Sequence, residues 1–385
     1  MSDGDAPPRG PVTSAYLDWN ATAPPLPEVI DRMAHAARTT WGNPASVHAE
    51  GRAARAVVED AREAVAALLG VDARDVFLTS GATEANNLAL SHAEALVTSR
   101  LEHPSVVRVA ERLSDAGRTV RFVPVPPGGR LRVEDVEAAI FGLPKGFVVA
   151  LMAANHETGV LQPVREVGEL VRERGGRLHV DAVQAVGKIP LEAFAAGDSA
   201  SLAGHKLRGP KGIGALVLRT PGLPRPVLVG GAQERGVRPG TVDPVAASGL
   251  AVAVRRATHG GPSRYAALEP LRDRIEARLA GLAEVNGAGE PRLPHVTSLS
   301  FEGCPGDELV AAFDLAGVRV SSGSACSAGT QEASPVITAM LGRQRALQTV
   351  RASLGDATTA AEVDFAIETM IRRVTRRSSS PARST

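Results

Sequence analysis

The chain has 385 residues, 44% of them hydrophobic, enough for a large domain and a smaller one with separate cores. Lys and Arg number 43 against 42 Asp and Glu, so no global field draws the chain to nucleic acid or to an acidic membrane surface. Its two cysteines, Cys304 and Cys326, cannot build a disulfide framework and match no C-x-x-C spacing, which points to a reducing compartment.

The opening MSDGDAPPRGPVTS is acidic and Pro-rich where a signal peptide needs a basic end and an apolar run, and no stretch approaches the roughly 20 apolar residues of a membrane span. The chain therefore reads as cytoplasmic. Residues 1–13 and the terminal RRSSSPARST (376–385) carry too little apolar surface to offset ordering entropy and are expected to be disordered. Between them, β-branched runs alternate with helical patterns. VFLT (76–79) precedes ATEANNLALSHAEAL (82–96), VRFVPV (120–125) precedes VEDVEAAI (133–140), FVVALM (147–152) precedes VREVGELVRERG (164–175), and RLHVD (177–181) follows. That rhythm predicts an α/β large domain over 14–252, its sheet mainly parallel with helices on both faces. From about Ala251 the rhythm changes to a long helical stretch (265–285), the strand VTSLSF (296–301), the helix DELVAAFDLAG (307–317), the strand VRVSS (318–322) and a last helix at 360–374. These predict a smaller α+β domain over 253–375.

In open parallel sheets, ligands gather at the carboxyl ends of the strands. After VFLT comes TSGATEANN (79–87), a Ser-Gly-Ala-Thr turn opening a helix, whose backbone N–H groups and dipole suit a phosphate. RLHVD ends in Asp181, with Gln184 one helical step on; a carboxylate buried at a strand end needs a cationic partner. Lys206 follows His205 ahead of the turn-rich RGPKG, held by turn geometry as a nucleophilic amine would be. A phosphate cradle, a strand-end Asp and a turn-held Lys are the parts that pyridoxal phosphate requires. Cys326 lies in SSGSACSAGT (321–330), among side chains too small to bury it.

With those parts in place, the segments YLDWNATAPP, WGNPASVHAEGRAAR, FLTSGATEANNLAL, EHPSVV, NHETGVLQPV, HVDAVQAVGKIPL, GHKLRGPKGIGAL, GGAQERGVRPGT, SSGSACSAGT and VRASLG resemble, in order over about residues 15–372, the signatures of the cysteine desulfurases. These are the NifS/IscS-like group of class V pyridoxal phosphate enzymes. The resemblance implies the type I fold of pyridoxal-phosphate-dependent transferases. In that fold a large domain with a mainly parallel seven-stranded sheet is joined to the small domain, which carries a mobile catalytic loop at about 321–334.

The resemblance also assigns roles. Lys206 holds the cofactor covalently, Asp181 pairs with its ring nitrogen, Gln184 meets its phenolic oxygen, and His103 stacks on the ring and helps move protons. The phosphate meets Ala82, Thr83 and His205, with Thr241 reaching across from the partner subunit of a homodimer. The carboxylate of L-cysteine meets Arg351, helped by Asn43, since a guanidinium fork matches a carboxylate. Cys326 takes the substrate sulfur as a persulfide, L-alanine leaves, and a sulfur-acceptor protein, such as an iron–sulfur scaffold, receives the sulfur. Cys304 has no counterpart and reads as a bystander.

Two positions depart from the family pattern. His156 stands in NHETG where an asparagine usually contacts the cofactor, and is expected to shift its tilt or pH response; Ala203 stands where a serine usually supplies a phosphate hydroxyl, so weaker cofactor retention is expected there. A selenocysteine lyase or another class V enzyme uses overlapping parts, although a plain aminotransferase needs no thiol. Outside catalysis, the two departures suit a weakened sulfur carrier or scaffold.

Overall fold

A computed structural model describes residues 12–220, 222, 224–323 and 333–378; Cys326 and the terminal residues 1–11 and 379–385 lie outside the described residues. The described chain opens with β1 (Ala15–Tyr16). The central sheet is built from β2 (Val76–Thr79), β3 (Ala95–Ser99), β4 (Thr119–Val123), β5 (Val148–Met152), β6 (Arg177–Asp181), β7 (Ser199–Ala203) and β8 (Gly214–Leu218). Four shorter strands follow: β9 (Glu284–Val285), β10 (Val296–Ser300), β11 (Val318–Arg319) and β12 (Thr349–Ser353).

The seven strands are ordered β2-β8-β7-β6-β5-β3-β4. β8 is antiparallel to both β2 and β7, and the remaining pairs are parallel, so the expected mainly parallel seven-stranded sheet forms. Its inner strands are apolar on both faces, as β3 and β5 illustrate, because helices cover both sides. On one side the helix Ala49–Leu69 buries Ala54, Val58, Ala61 and Val65, packing along the helix Pro244–Thr258. β2 and β7 both oppose β8, so they share one direction with the parallel strands. The carboxyl ends of β2, β3, β5, β6 and β7 therefore open on the same edge.

The helix expected over 82–96 stops at Leu90, and Ala95–Ser99 becomes β3. Ala and Glu in SHAEAL favour helix, but pairing on both sides with β4 and β5 overrides that weak local preference. The helical stretch expected over 265–285 breaks into Gly261–Ala266 and Glu269–Leu279, then ends in β9. Pro270 has no N–H to offer the Ala266 carbonyl and takes a place in the first turn of the second helix, while Gly281 at φ 82° turns the chain out.

The first of the buried apolar clusters is built around the central sheet and reaches Leu293, Val296 and Val336, and a second lies on residues 265–374 and β1. The boundary expected at 252/253 falls inside the helix Pro244–Thr258, whose Ala253, Val254 and Ala257 belong to the first cluster. Ala15 and Leu17 belong to the second, with Phe301, Phe313 and Ile367, because β1 pairs with β11. Residues 376–378, expected as disordered tail, continue the helix Ala360–Ser378. Cys304 is buried and free within the second cluster. Among the described residues no helix is long and apolar enough to cross a membrane.

Gly214 opens β8 where β2 and β7 end, and a Cβ there would come within 2.8 Å of Gly81 Cα. Backbone on both sides leaves nothing flexible to give way. Gly214→Ala is expected to lower unfolding free energy by roughly 1–3 kcal/mol, as overpacking does, and to displace the Ser80–Thr83 turn; urea unfolding measures the first effect.

Candidate active site

The shared strand edge opens into a cavity of about 430 Å³. Ten of the residues singled out above line it: Ala82, Thr83, His103, His156, Asp181, Gln184, Ala203, His205, Lys206 and Arg351. Asn43 and Thr241 do not. They share a second cleft of about 650 Å³ with Arg62 and Glu234. Asn43 stays at the surface because its Oδ1 accepts from Ala45 N at 2.9 Å, closing a local turn.

Gly81 caps the helix Ala82–Leu90 with φ 148° and provides no side-chain cap, so the first N–H groups of that helix face open space. A Cβ built on Gly81 meets nothing within 4 Å. With Lys206, Lys211 and Arg351 also lining the cavity, its balance favours anions.

Asp181 ends β6 with 7% of its surface exposed. Its Oδ1 accepts from Val183 N at 3.1 Å and its Oδ2 from Asn86 Nδ2 at 2.9 Å. Asn86 Nδ2 also donates to Ser105 Oγ, 2.8 Å away, and Ser105 Oγ lies 2.8 Å from His103 Nδ1. Ser105 N donates to the same Nδ1 at 3.1 Å, which assigns the proton of the neutral ring to Nε2. His103 caps the helix Pro104–Asp115, and burial holds it below its ordinary pKa, only partly opposed by Asp181. On the far side of Asn86, Oδ1 accepts from His179 Nε2 at 2.9 Å while His179 Nδ1 meets Ser199 Oγ at 2.8 Å.

Lys206 stands in the single turn Gly204–Leu207, and its Nζ donates to the backbone oxygens of Asn20 and, at 2.8 Å, Ala21. The turn is closed by Arg208 at φ 64°, strained for a residue with a Cβ. Its ion pair with Asp356 at 2.9 Å and its stacking 5.4 Å over Trp19 hold that conformation. His205 Nδ1 lies 3.2 Å from Thr22 Oγ1, and burial, helped by Lys206, takes its pKa down to about 4.

His156 is partly buried, and neither of its buried ring nitrogens has a hydrogen-bond partner among the described residues. Glu157 Oε1, 3.6 Å from Nε2, is beyond hydrogen-bond reach, and burial keeps the imidazole neutral, so the two form no ion pair. The ring packs edge-on to His103 with centroids 5.7 Å apart. Arg351, 2% exposed, donates through Nη2 to Asp18 Oδ1 at 2.5 Å and through Nη1 to His156 O at 3.1 Å, leaving buried Nε without a partner among the described residues.

Asn20, Asn86 and Asp18 escaped the sequence reading, although each lies in a segment quoted there. The partners of their side chains lie between 19 and 333 residues away, and no local pattern marks them.

The Aminotransferase class-V family matches residues 15–365. An IscS-like cysteine desulfurase of Mycobacterium tuberculosis is 39% identical over 380 residues, 94% of this chain and 96% of that protein. A solved structure of a NifS-like protein superposes with a TM-score of 0.85 at 33% identity, covering 94% of this chain and 100% of its own. Another, of SspA in complex with cysteine, gives 0.77 at 29%, covering 90% and 100%. The chain belongs to the class-V aminotransferase family and, within it, to the cysteine desulfurases.

His179 is buried with a pKa taken down by burial from 6.5 to about 4. Below pH 6.5 an unfolded chain accepts a proton that native His179 refuses, so its contribution, about 3 kcal/mol at most, is lost as pH falls from 6.5 towards 4. His179→Asn should therefore destabilise strongly at pH 8 and progressively less down to pH 4.5. Urea unfolding across that range checks this; an equal penalty at both ends contradicts it.

Proposed function

We propose that the chain removes sulfur from L-cysteine, with pyridoxal phosphate held in this cavity, placing the sulfur on Cys326 and releasing L-alanine. The observation that carries the reading is the convergence of Lys206, Asp181 and the uncapped helix at Ala82 on one cavity, in a chain of the cysteine desulfurase family. Those residues fit the cofactor. Open N–H groups suit its phosphate, the buried carboxylate its ring nitrogen and the amine its aldehyde carbon. The cofactor, when bound, supplies an electron sink for the substrate's α-carbon.

Lys206 would hold the cofactor and, once displaced by substrate, move protons at the α-carbon from Nζ. Asp181 stays oriented by Asn86 Nδ2 and Val183 N, so its carboxyl group stands ready for a ring N–H. His103, its Nδ1 engaged by Ser105, presents Nε2–H to the cavity. Ala203 offers a methyl group where a hydroxyl would assist the phosphate, leaving more of that work to the helix terminus and His205. Arg351 takes the substrate carboxylate, with the unpartnered Nε as its open donor.

The sulfur step balances without an added oxidant. The substrate C–S bond breaks, an S–S bond forms to the Cys326 thiolate, and protonation of the carbon left behind completes alanine. Cys326 lies outside the described residues, and its role rests on its matching segment. A chain with only two cysteines and no disulfide framework suits a reducing, cytoplasmic compartment, and a sulfur-acceptor protein is the next recipient. Asn43 and Thr241, grouped away from their own chain's cavity, support a homodimer in which each subunit completes the other's site. Trp41 and Val47 beside Asn43, 71% and 83% exposed, are apolar surface for such a contact.

With cofactor added, Cys326→Ala is expected to keep the absorbance band of the bound cofactor while losing sulfide release from L-cysteine under reductant. Lys206→Ala should lose both the band and alanine formation. Sulfide persisting in Cys326→Ala would overturn the persulfide route.

A further inference from the structure

Lys188 lies outside the cavity, in no role assigned above, yet it is 2% exposed. Its Nζ donates to Gln184 Oε1 at 2.7 Å, its one hydrogen bond among the described residues, and lies 5.8 Å from the centre of the Tyr265 ring. A buried amine with one neutral acceptor is an expensive way to fill space that a methionine would fill. Its one bond, however, falls on a side chain that does line the cavity.

Gln184 is itself 4% exposed, and its Nε2 donates to Asn20 O at 3.1 Å. That oxygen also accepts from Lys206 Nζ. The chain Lys188–Gln184–Asn20–Lys206 thus joins a buried amine to the proposed cofactor lysine through two intermediaries. Asn20 is anchored in turn. Its N donates to Ser353 Oγ at 2.9 Å, its Nδ2 to His156 O at 3.1 Å, and its Oδ1 lies 3.2 Å from His295 Nε2.

A carboxamide has two ends of nearly equal size and opposite hydrogen-bonding sense, so its orientation is set only by its neighbours. Asn20 O can only accept, and Lys188 donates, so both neighbours select the same orientation. The amide oxygen is engaged from behind by Lys188, and no other bond of the amino group is made among the described residues. One N–H of Gln184 is thereby left for a ligand in the cavity.

We propose that Lys188 is a positioning residue: by holding Gln184 Oε1 it fixes the Gln184 amino group as a donor to the oxygen-bearing edge of the bound cofactor. This rests on the cofactor reading above and extends it to a residue that never touches the cavity. Burial, reinforced by Lys206 and Arg351, holds the Lys188 amine well below its ordinary pKa, and a neutral amine still donates to Oε1.

The test compares wild type, Lys188→Met, Lys188→Gln, Gln184→Leu and the double variant Lys188→Met/Gln184→Leu, each loaded with pyridoxal phosphate. Cofactor dissociation constants and absorbance spectra are the readouts. Lys188→Met should weaken cofactor binding about five- to tenfold, the worth of one hydrogen bond, and shift the absorbance maximum. Gln184→Leu should do the same with Lys188 in place, and the double variant should add no further loss. Lys188→Gln, which keeps an N–H donor, should recover much of the affinity and the wild-type spectrum. An unchanged spectrum and affinity in Gln184→Leu overturns the proposal even if Lys188→Met does not fold, as do additive losses in the double variant. Wild type without a cofactor band fails the underlying reading instead, before any variant is compared.

Discussion

The site depends on how the Asp181 carboxylate is held and aimed at the end of a buried strand. Such a group is unfavourable without polar partners, and Asn86 provides the decisive one. Its amino group reaches Asp181 and Ser105, while its oxygen takes the proton of His179. The chain Ser199–His179–Asn86–Ser105–His103 runs behind the cavity and fixes a carboxylate and an imidazole with one set of hydrogen bonds. Burial keeps His179 neutral, so one ring nitrogen can accept while the other donates.

Across the cavity a second framework works through backbone. Asn20 and Ala21 provide the carbonyl oxygens that hold Lys206, and Asn20 reaches both Gln184 and the chain at His156. Asp18, two residues earlier, holds Arg351. Residues 18–21 thus tie the proposed cofactor lysine, from the large sheet, to the proposed carboxylate-binding arginine on β12. Arg208–Asp356 spans the same junction, from the turn after Lys206 to the residues following β12. The distance between the proposed cofactor and substrate sites is set by this junction.

The alternation of β-branched and helical segments made the parallel sheet legible, since strands buried on both faces need apolar runs. Strand β3 was hidden because its approach, SHAEAL, is rich in helix formers, and only pairing with β4 and β5 decides its conformation. The break before Glu269 was written in Pro270 but masked by the apolar pattern on either side. Lys206, Asp181 and the turn at Ala82 were legible because each follows a strand end. Asn20, Asn86 and Lys188 were not, because their roles exist only through partners brought near by the fold. Asn43 and Thr241 matched family segments, yet the chain's own cavity excludes them, as the proposed homodimer requires.

The central claim is that sulfur passes from L-cysteine to one thiol in a cavity built around Lys206 and Asp181. Its most direct test loads the protein with pyridoxal phosphate, adds stoichiometric L-cysteine without reductant, and measures alanine alongside peptide masses. Alanine should form in equal amount to a Cys326 peptide heavier by one sulfur atom, with the Cys304 peptide unchanged. Alanine formed while the Cys326 peptide stays unmodified, or with the sulfur found on Cys304, would contradict the account.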